Sequence, residues 1–378
     1  MSQLKLAAVS AFGLEAIVKR ELMHMGYEDL KVENGWVFFH GGLEDIIKTN
    51  INLRSAERVL LVMGEFEAKS FEDLYDRTYA LPWHEWIEKD SRFPVNGKSI
   101  KSTLFSVPDC QSIVKKAIVD KLKYHYKQEW FPEKGAEFTT QISIHKDQAI
   151  LTIDTTGSRE GLFKRGYRKN AVEAPLKETL AAAMVQLSFW NKDRILMDPM
   201  CGSGTIPIEA ALIGTNTPPG LYRFFASERW NRLPEMMWDK IRSDYESKVL
   251  TDTELMIYAS DISEEAVFSA KKNAERAGVS EHIRFEIKPV QEVDLPGEYG
   301  VMITNPPYGD RIGDGEMVDE LSKAIGKVFG SNPTWSNYVI TSDEKFEKHY
   351  GKKASRKRKL FNGNVKVNYF QFYGLKKQ

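Results

Sequence analysis

The sequence predicts an α/β protein in which a mostly parallel sheet follows two smaller α+β units. From Arg194 onward, short apolar runs alternate with helical patterns, which is typical of βαβ units. Before residue 155, strand and helix patterns alternate in two groups, which favours α+β folding. The 378 residues, 42% hydrophobic and 28% charged, are enough for two or three domains.

The two α+β units are predicted over residues 1–60 and 61–155. The first combines a short strand, a helix and two further strands, and the second contains a helix over 112–126 and two paired strands. That helix carries Lys115 and Lys116 among several lysines. Such a row either meets phosphates or is an ordinary solvated helix face.

Residues 156–378 form the predicted parallel-sheet domain, which opens with a basic loop and an Ala-rich helix near Pro175. Its seven predicted strands are 195–197, 256–260, 283–287, 301–304, 338–341, 357–361 and 365–373. Asn362-Gly363 predicts that the last two form an antiparallel hairpin. The connection over 215–254 is too long for a plain loop, so we expect a mostly helical insertion whose aromatic residues pack onto its own domain.

Several classes of protein are disfavoured by composition. No run approaches eighteen apolar residues, and the first residues lack the pattern of an export signal, so we expect a cytoplasmic protein. The two cysteines and seven histidines lack metal-ligand spacing, so no metal is expected. The net charge of zero excludes a uniformly basic coat, and binding to nucleic acid would depend on local charge.

The segment DPMCGSGT, Asp198 to Thr205, lies where a predicted strand ends and a helix begins. Glycines there let the backbone approach a ligand closely, which indicates a cofactor loop. The spacing is neither that of a Walker loop nor GxGxxG, so phosphate binding is disfavoured. Cys201 has two interpretations, a nucleophile or a small residue in a tight loop, and the second is favoured.

Two further segments follow strands of the same predicted sheet. Asp261 could accept hydrogen bonds from ribose hydroxyls or cap the next helix. The segment NPPYG, which begins at Asn305, could be a simple turn. Alternatively, Asn305 and the carbonyl of Pro306 hold an exocyclic amine while Tyr308 stacks on its base.

In this order, DPMCGSGT, SDI and TNPPYG resemble class I S-adenosylmethionine-dependent methyltransferases that act on amino groups, which have a Rossmann-like fold. The resemblance implies a base site formed by Asn305, Pro306, Pro307 and Tyr308. It implies cofactor contacts from Asp198, Pro199, Met200, Cys201, Gly202, Ser203, Gly204, Thr205, Asp261, Ile262, Gln291 and Asn305. Gln291 stands where many relatives have an Asp, and a one-residue slip would give Val290 or Glu292 instead.

Three segments together are similar to THUMP-containing RNA guanine methyltransferases. They are the basic loop KRGYR, the helix segment APLKETLAAA and the segment SIKSTLFSVPDCQSIVKKAIVDKL. That family places ferredoxin-like and THUMP domains before the catalytic domain. It implies methylation of the guanine 2-amino group in 23S ribosomal RNA or a ribosomal precursor particle, or in tRNA, and the bacterial large-subunit branch is closer. The residues that could contact this RNA are Lys115, Lys116, Arg165, Arg168, Arg356 and Arg358, and the segments that carry the four arginines could equally be solvated loops.

Two rival functions remain. A DNA adenine methyltransferase shares NPPY but normally carries a target-recognition region instead of a THUMP-like half. A catalytically inactive RNA-binding assembly factor predicts eroded cofactor and NPPY loops, whereas both are intact. The sequence therefore favours the enzyme that acts on RNA.

Overall fold

A computed structural model describes residues 3–33, 35–157, 159–169, 176–307 and 315–376 of the chain. Its strands form two seven-stranded sheets. The first sheet contains β1 (Leu4–Ser10), β2 (Lys31–Glu33), β3 (Trp36–Gly41), β4 (Ala56–Glu67), β5 (Val95–Ile100), β6 (Thr140–His145) and β7 (Gln148–Asp154). The helices of this part are α1 (Glu15–His24), α2 (Leu43–Asn52), α3 (Phe71–Ala80) and α4 (Val107–Tyr126).

The long strand β4 joins the two N-terminal units into one sheet of order β2-β3-β1-β4-β7-β6-β5. It pairs antiparallel with β1 on one side and with β7 on the other. The predicted boundary at residue 60 therefore falls inside a strand that both units share. Because β4 contributes hydrogen bonds to both, we expect the two units to unfold together.

The second sheet has the order β10-β9-β8-β11-β12-β14-β13. Its strands are β8 (Leu196–Asp198), β9 (Ile257–Asp261), β10 (Ile283–Ile287), β11 (Val301–Thr304), β12 (Ser336–Thr341), β13 (Arg356–Asn362) and β14 (Val365–Phe372). The helices around it are α5 (Glu178–Leu187), α6 (Thr205–Gly214), α7 (Glu235–Glu246), α8 (Glu264–Arg276), α9 (Gly315–Ile325) and α10 (Phe346–Tyr350). From β10 to β12 the neighbours are parallel, and β13 and β14 form the predicted antiparallel hairpin.

Apolar residues cover both faces of this sheet at its centre. Val301, Met302 and Ile303 of β11 are fully buried. Val301 and Ile303 belong to one core cluster and Met302 to another, since successive side chains of a strand point to opposite faces. Burial on both faces explains why the strand reads as a continuous apolar run.

The insertion over 215–254 departs from prediction in two respects. Its regular structure is helical, as expected, but α7 and a 3₁₀ turn over Ala226–Arg229 cover fewer than half of its residues. Its aromatic residues also pack away from their own domain. Trp230 stacks on Phe138 of the N-terminal part at 4.5 Å between ring centroids, and its indole N–H donates to the carbonyl of Glu137. The insertion thus attaches the second sheet's domain to the first.

Among the described residues, no helix is long and apolar enough to cross a membrane.

Candidate functional site

The three segments singled out from the sequence meet at one edge of the second sheet. Strands β8, β9 and β11 are adjacent and parallel, so the residues that follow them emerge on the same side. The strand order reverses beside β8, where the chain crosses from β9 and β10 to β11 and β12. Open α/β sheets bind ligands at such a switch point. Here a cavity of about 540 Å³ opens.

Most of the predicted site residues line this cavity. They are Asp198, Pro199, Met200, Cys201, Gly202, Ser203, Thr205, Asp261, Ile262, Gln291, Asn305 and Pro307. Gly204 and Pro306 are not part of the lining, and Tyr308 lies outside the described residues. Sequence reasoning named Val290 only as an alternative to Gln291 and missed Leu176, Ile206, Ser263, Ala266, Pro289, Met317, Glu320 and Leu321. Of these, Met317 and Leu321 are four residues apart on α9, a spacing that places both on one helix face.

The glycine-rich loop is shaped by a close approach of two helices. Gly204 has a φ of +80° and precedes α6. A Cβ atom at this position would lie 2.9 Å from the Cβ of Ala270 on α8, which is too close for two carbon atoms. The loop therefore requires glycine here for backbone conformation and for packing.

Asp261 fixes the geometry between the loop and the next strand end. Its carboxylate accepts hydrogen bonds from the backbone N–H of Gly202 at 2.9 Å and of Ser263 at 3.0 Å. The N-cap of α8 is Ser263, whose hydroxyl oxygen accepts from the N–H of Ala266. The helix-cap interpretation of Asp261 is thereby excluded. Each carboxylate oxygen keeps a second acceptor site for a ligand.

Asp198 is a buried carboxyl group at the base of the cavity. It is 1% exposed and accepts hydrogen bonds from the Thr304 hydroxyl at 2.8 Å and the Met200 N–H at 3.3 Å. Burial raises its pKa to about 7, although both hydrogen bonds act in the opposite direction. A carboxyl group that titrates near neutrality in a cavity favours a cationic ligand group, which would stabilise the ionised form.

Cys201 has the environment of a neutral packing residue. Its side chain is buried, and burial raises the thiol pKa well above its ordinary value, with further contributions from the charges of Asp198 and Asp261. Since the thiolate is the nucleophilic form, this environment disfavours the nucleophile interpretation.

Asn305 presents a buried acceptor that has no partner among the described residues. Its Oδ1 atom accepts no hydrogen bond from any residue that the structure describes. An unpaired buried polar atom costs about 1–3 kcal/mol, so such atoms indicate a missing donor. Asn305 follows β11 directly and lines the cavity, which places this acceptor where a ligand could supply the donor.

Two of the arginines predicted to contact RNA are engaged inside the protein. Arg165 is 8% exposed, and its guanidinium lies 3.4 Å from the carboxylate of Glu209. Arg168 pairs with Glu178 at 2.9 Å and reaches the hydroxyl of Thr205 at 3.4 Å. The interior position of Arg165 contradicts a phosphate contact, and Arg168 instead links the basic loop to the glycine-rich loop.

The other predicted RNA contacts differ in exposure. Lys115 pairs with Glu133 at 2.7 Å and lies over the Phe93 ring, whereas Lys116 and Arg356 are exposed. Arg358 is partly buried, and burial lowers its pKa with help from the charge of Arg356. Of the six predicted residues, Lys116 and Arg356 are therefore the most accessible to a phosphate. Within the described ranges, no group of His, Cys, Asp and Glu could hold a metal ion.

A parallel sheet with a glycine-rich loop after β8 and an acidic residue at the end of β9 defines the α/β fold of class I methyltransferases. Comparison with family models agrees with this class. Residues 165–371 match the RMKL-like methyltransferase domain, residues 5–60 the RlmL ferredoxin-like domain and residues 68–154 the THUMP domain. The chain belongs to the RMKL-like methyltransferase family.

Two curated relatives extend along the chain. A putative RNA methyltransferase YpsC of Bacillus subtilis is 48% identical over 99% of this chain and 97% of its own length. The ribosomal RNA large subunit methyltransferase K/L of Psychromonas ingrahamii is 34% identical over 94% of this chain. The alignment covers 48% of that longer relative, so this chain spans about half of it.

Two solved structures are similar over nearly the whole chain. SMU.472, a putative methyltransferase complexed with SAH, is 43% identical with a TM-score of 0.93 and covers 100% of both chains. A predicted N6-adenine-specific DNA methylase from Listeria monocytogenes is 48% identical with a TM-score of 0.94, over 99% of this chain and 97% of its own. The names of these relatives thus differ in whether they mention RNA, DNA or neither, and all of them describe methyl transfer.

Proposed function

We propose that this chain transfers a methyl group from S-adenosylmethionine to the 2-amino group of a guanine in RNA, and that its substrate is 23S ribosomal RNA. The chain is an RNA methyltransferase, and S-adenosylmethionine is its methyl donor. The observation that carries the amino-group part of this proposal is the buried Asn305 Oδ1 atom, which lacks a donor among the described residues at the rim of the cofactor cavity. The choice of guanine among the bases follows the family resemblance.

The residues that line the cavity fit the three parts of this cofactor. Asp198 would accept from the methionine ammonium group, whose positive charge compensates the buried carboxylate. The second acceptor sites of Asp261 would take the ribose hydroxyls. Ile262 and Val290 offer apolar surface to the adenine ring, and the Gln291 carbonyl would accept from its amine.

The chemistry requires positioning rather than a nucleophile from the protein. The cofactor supplies an electrophilic methyl group on a sulfonium ion. Asn305 Oδ1 and the Pro306 carbonyl would accept hydrogen bonds from the guanine amine, which orients the nitrogen lone pair toward that methyl group. As the N–C bond forms and the C–S bond breaks, positive charge develops on the amine and strengthens both hydrogen bonds. The surplus proton then passes to water.

The guanine must leave its stack before its amine can reach this site. Tyr308 would stack on the extruded base, a role taken from the resemblance because this residue lies outside the described part of the chain. The neighbouring THUMP and ferredoxin-like domains would hold the surrounding RNA. Both cysteines are free, which fits the reducing cytoplasm proposed as the compartment.

The choice of 23S ribosomal RNA is supported by the K/L relative, whose name gives the large ribosomal subunit as its substrate. Neither of the two curated relatives reported above is named for tRNA, so the tRNA alternative has no comparable support. The DNA alternative is raised by the name of the Listeria protein, and a substrate test separates it.

Methyl transfer from radiolabelled S-adenosylmethionine tests the proposal directly. The purified protein would be incubated with 23S ribosomal RNA, tRNA or genomic DNA from cells that lack the gene, and the products digested to nucleosides. We expect label in N(2)-methylguanosine from 23S RNA. Label in N6-methyladenine from DNA would reject the proposal, and label in tRNA would replace its substrate.

A further inference from the structure

The C-terminal hairpin reaches the edge of the sheet at which the cofactor cavity opens. Strand β13 is antiparallel to β14, and β14 is antiparallel to β12, so β13 runs in the same direction as the parallel strands. Asn368 of β14 pairs with Thr341, the last residue of β12, and with Lys359. The turn that begins after Asn362 is three residues further along, so it projects about 10 Å beyond the end of β12.

The N-terminal domain meets this hairpin through the loop between β1 and α1. The ring of Phe12 contacts that of Phe361 edge to face, with centroids 5.8 Å apart. Gly13 has a φ of +90°, and a Cβ atom there would lie 2.9 Å from the carbonyl oxygen of Lys359. The two domains therefore touch at this point, yet the Phe12 side chain remains 69% exposed.

Lysines share the face of the hairpin that carries Phe361, and Lys357 lies over the ring of Phe370 at 4.6 Å. Lys357, Lys359 and Phe361 alternate along β13 and lie on one face, and Lys366 is the cross-strand partner of Phe361. None of these three lysines forms an ion pair with a residue that the structure describes. The sequence from residue 351 to its end contains no Asp or Glu, so the hairpin offers no internal counter-charge.

We propose that a junction surface binds single-stranded RNA beside the target nucleotide. This surface consists of Phe12, Phe361, Lys357, Lys359 and Lys366. Phe12 would stack on a flanking base and the lysines would neutralise phosphates, the combination typical of single-strand binding. β11 and β13 are three strand spacings apart, about 14 Å. At about 3.4 Å per stacked nucleotide, the surface would hold bases roughly four nucleotides from the one at Asn305.

This inference rests on the proposed function, and it adds a substrate contact that the cofactor site does not contain. It differs from the predicted contacts at Arg356 and Arg358, which occupy the opposite face of β13. A partner protein is disfavoured as the occupant because the surface combines one pair of rings with lysines that form no ion pair among the described residues, rather than a contiguous apolar patch.

RNA binding by variants with single substitutions tests the junction surface. The probe is a fluorescein-labelled single-stranded RNA of about 15 nucleotides, within the range of known single-strand sites, and its affinity is measured by fluorescence anisotropy. We expect Phe12→Ala to weaken binding by about 5- to 150-fold, the range of one lost stacking contact. Lys359→Ala and Lys366→Ala should each lower the slope of log affinity against log salt by about 0.7.

Matched controls come from α8. Phe268 is 60% exposed and Lys272 lies over its ring, so Phe268→Ala and Lys272→Ala remove the same side chains from another surface. Binding of S-adenosylhomocysteine and thermal denaturation establish that every variant is folded. Affinities of the junction variants within twofold of the controls would overturn the inference.

The outcome is separable from that of the proposed function. Under both proposals, the junction variants raise the KM for RNA more than they lower kcat, whereas Asn305→Ala lowers kcat and leaves RNA affinity nearly intact. If the junction variants bind normally while the wild type still methylates RNA, the junction surface alone is rejected. If the wild type transfers no methyl group to any RNA, both proposals are rejected.

Discussion

Replacement of Asn305 by Ala removes the acceptor on which the proposed mechanism depends most. In the ground state, the hydrogen bond from a neutral amine to Asn305 Oδ1 contributes about 1 kcal/mol. In the transition state the nitrogen carries positive charge, and a charge-assisted bond is roughly twice as strong in a site that excludes water. Because the Oδ1 atom is buried, a water molecule does not readily take over its hydrogen bond in the variant. A fixed acceptor of this kind contributes about 2–4 kcal/mol in the transition state. Because about 1 kcal/mol is already present in the ground state, we expect the barrier to transfer to rise by about 1–3 kcal/mol, or roughly 5- to 150-fold in kcat.

The assay is single-turnover transfer of a labelled methyl group to saturating RNA, together with calorimetric measurement of S-adenosylmethionine binding. Gln291→Ala is the matched comparison because Gln291 lines the same cavity and is proposed to contact the adenine. Gln291→Ala should weaken cofactor affinity with little change in the rate of the bound complex. Asn305→Ala should do the reverse.

Two results would refute this reasoning. If Asn305→Ala transfers methyl groups at more than a third of the wild-type rate, Oδ1 does not hold the amine in the transition state. If the variant loses cofactor affinity in proportion to its rate, Asn305 acts on the cofactor and not on the base.

Three further predictions concern Asp198, Cys201 and Trp230. Burial raises the pKa of Asp198 from 3.8 to about 7, so the folded state binds its proton more tightly and the free energy of unfolding of the cofactor-free protein should fall as the pH rises from about 4 to about 7. Burial also raises the pKa of Glu178 to about 7, so Asp198→Asn should reduce this fall in denaturant titrations without abolishing it, and an equal fall in both proteins would contradict the assignment. Cys201→Ala should keep methyl transfer within about threefold of wild type, since the buried thiol is neutral, and complete inactivation with cofactor binding intact would restore the nucleophile interpretation. Trp230→Ala should destabilise the protein by about 3–5 kcal/mol through lost stacking on Phe138, whereas Met236→Ala, at a side chain 82% exposed, should not; equal melting temperatures for the two variants would contradict the attachment of the two domains through Trp230.

The parts of the fold that could be predicted from sequence are those set by short-range patterns. Apolar runs with helical segments between them gave β10 and β11 with their observed ends. Asn362-Gly363 placed the final hairpin, because this dipeptide suits the backbone of a tight turn. The glycine-rich loop, Asp261 and Asn305 were found together because parallel strands bring their carboxyl ends to one edge.

The parts that could not be predicted depend on contacts between distant residues. Periodicity does not reveal that β4 pairs with both β1 and β7, since each half of the strand satisfies the same local pattern. The basic residues of KRGYR suggested a phosphate contact. Arg165 is instead buried beside Glu209, and this pairing depends on residues 44 positions apart in the sequence. The packing of Trp230 against Phe138 likewise joins segments that no local signal connects.

The measurement that tests the central claim most directly is nucleoside mass spectrometry of ribosomal RNA, tRNA and DNA from cells with and without the gene. The account predicts that N(2)-methylguanosine in 23S ribosomal RNA falls by the equivalent of one nucleotide when the gene is removed, and that a plasmid copy restores it while the Asn305→Ala variant does not. Unchanged N(2)-methylguanosine in RNA, together with a loss of N6-methyladenine from DNA, would contradict it.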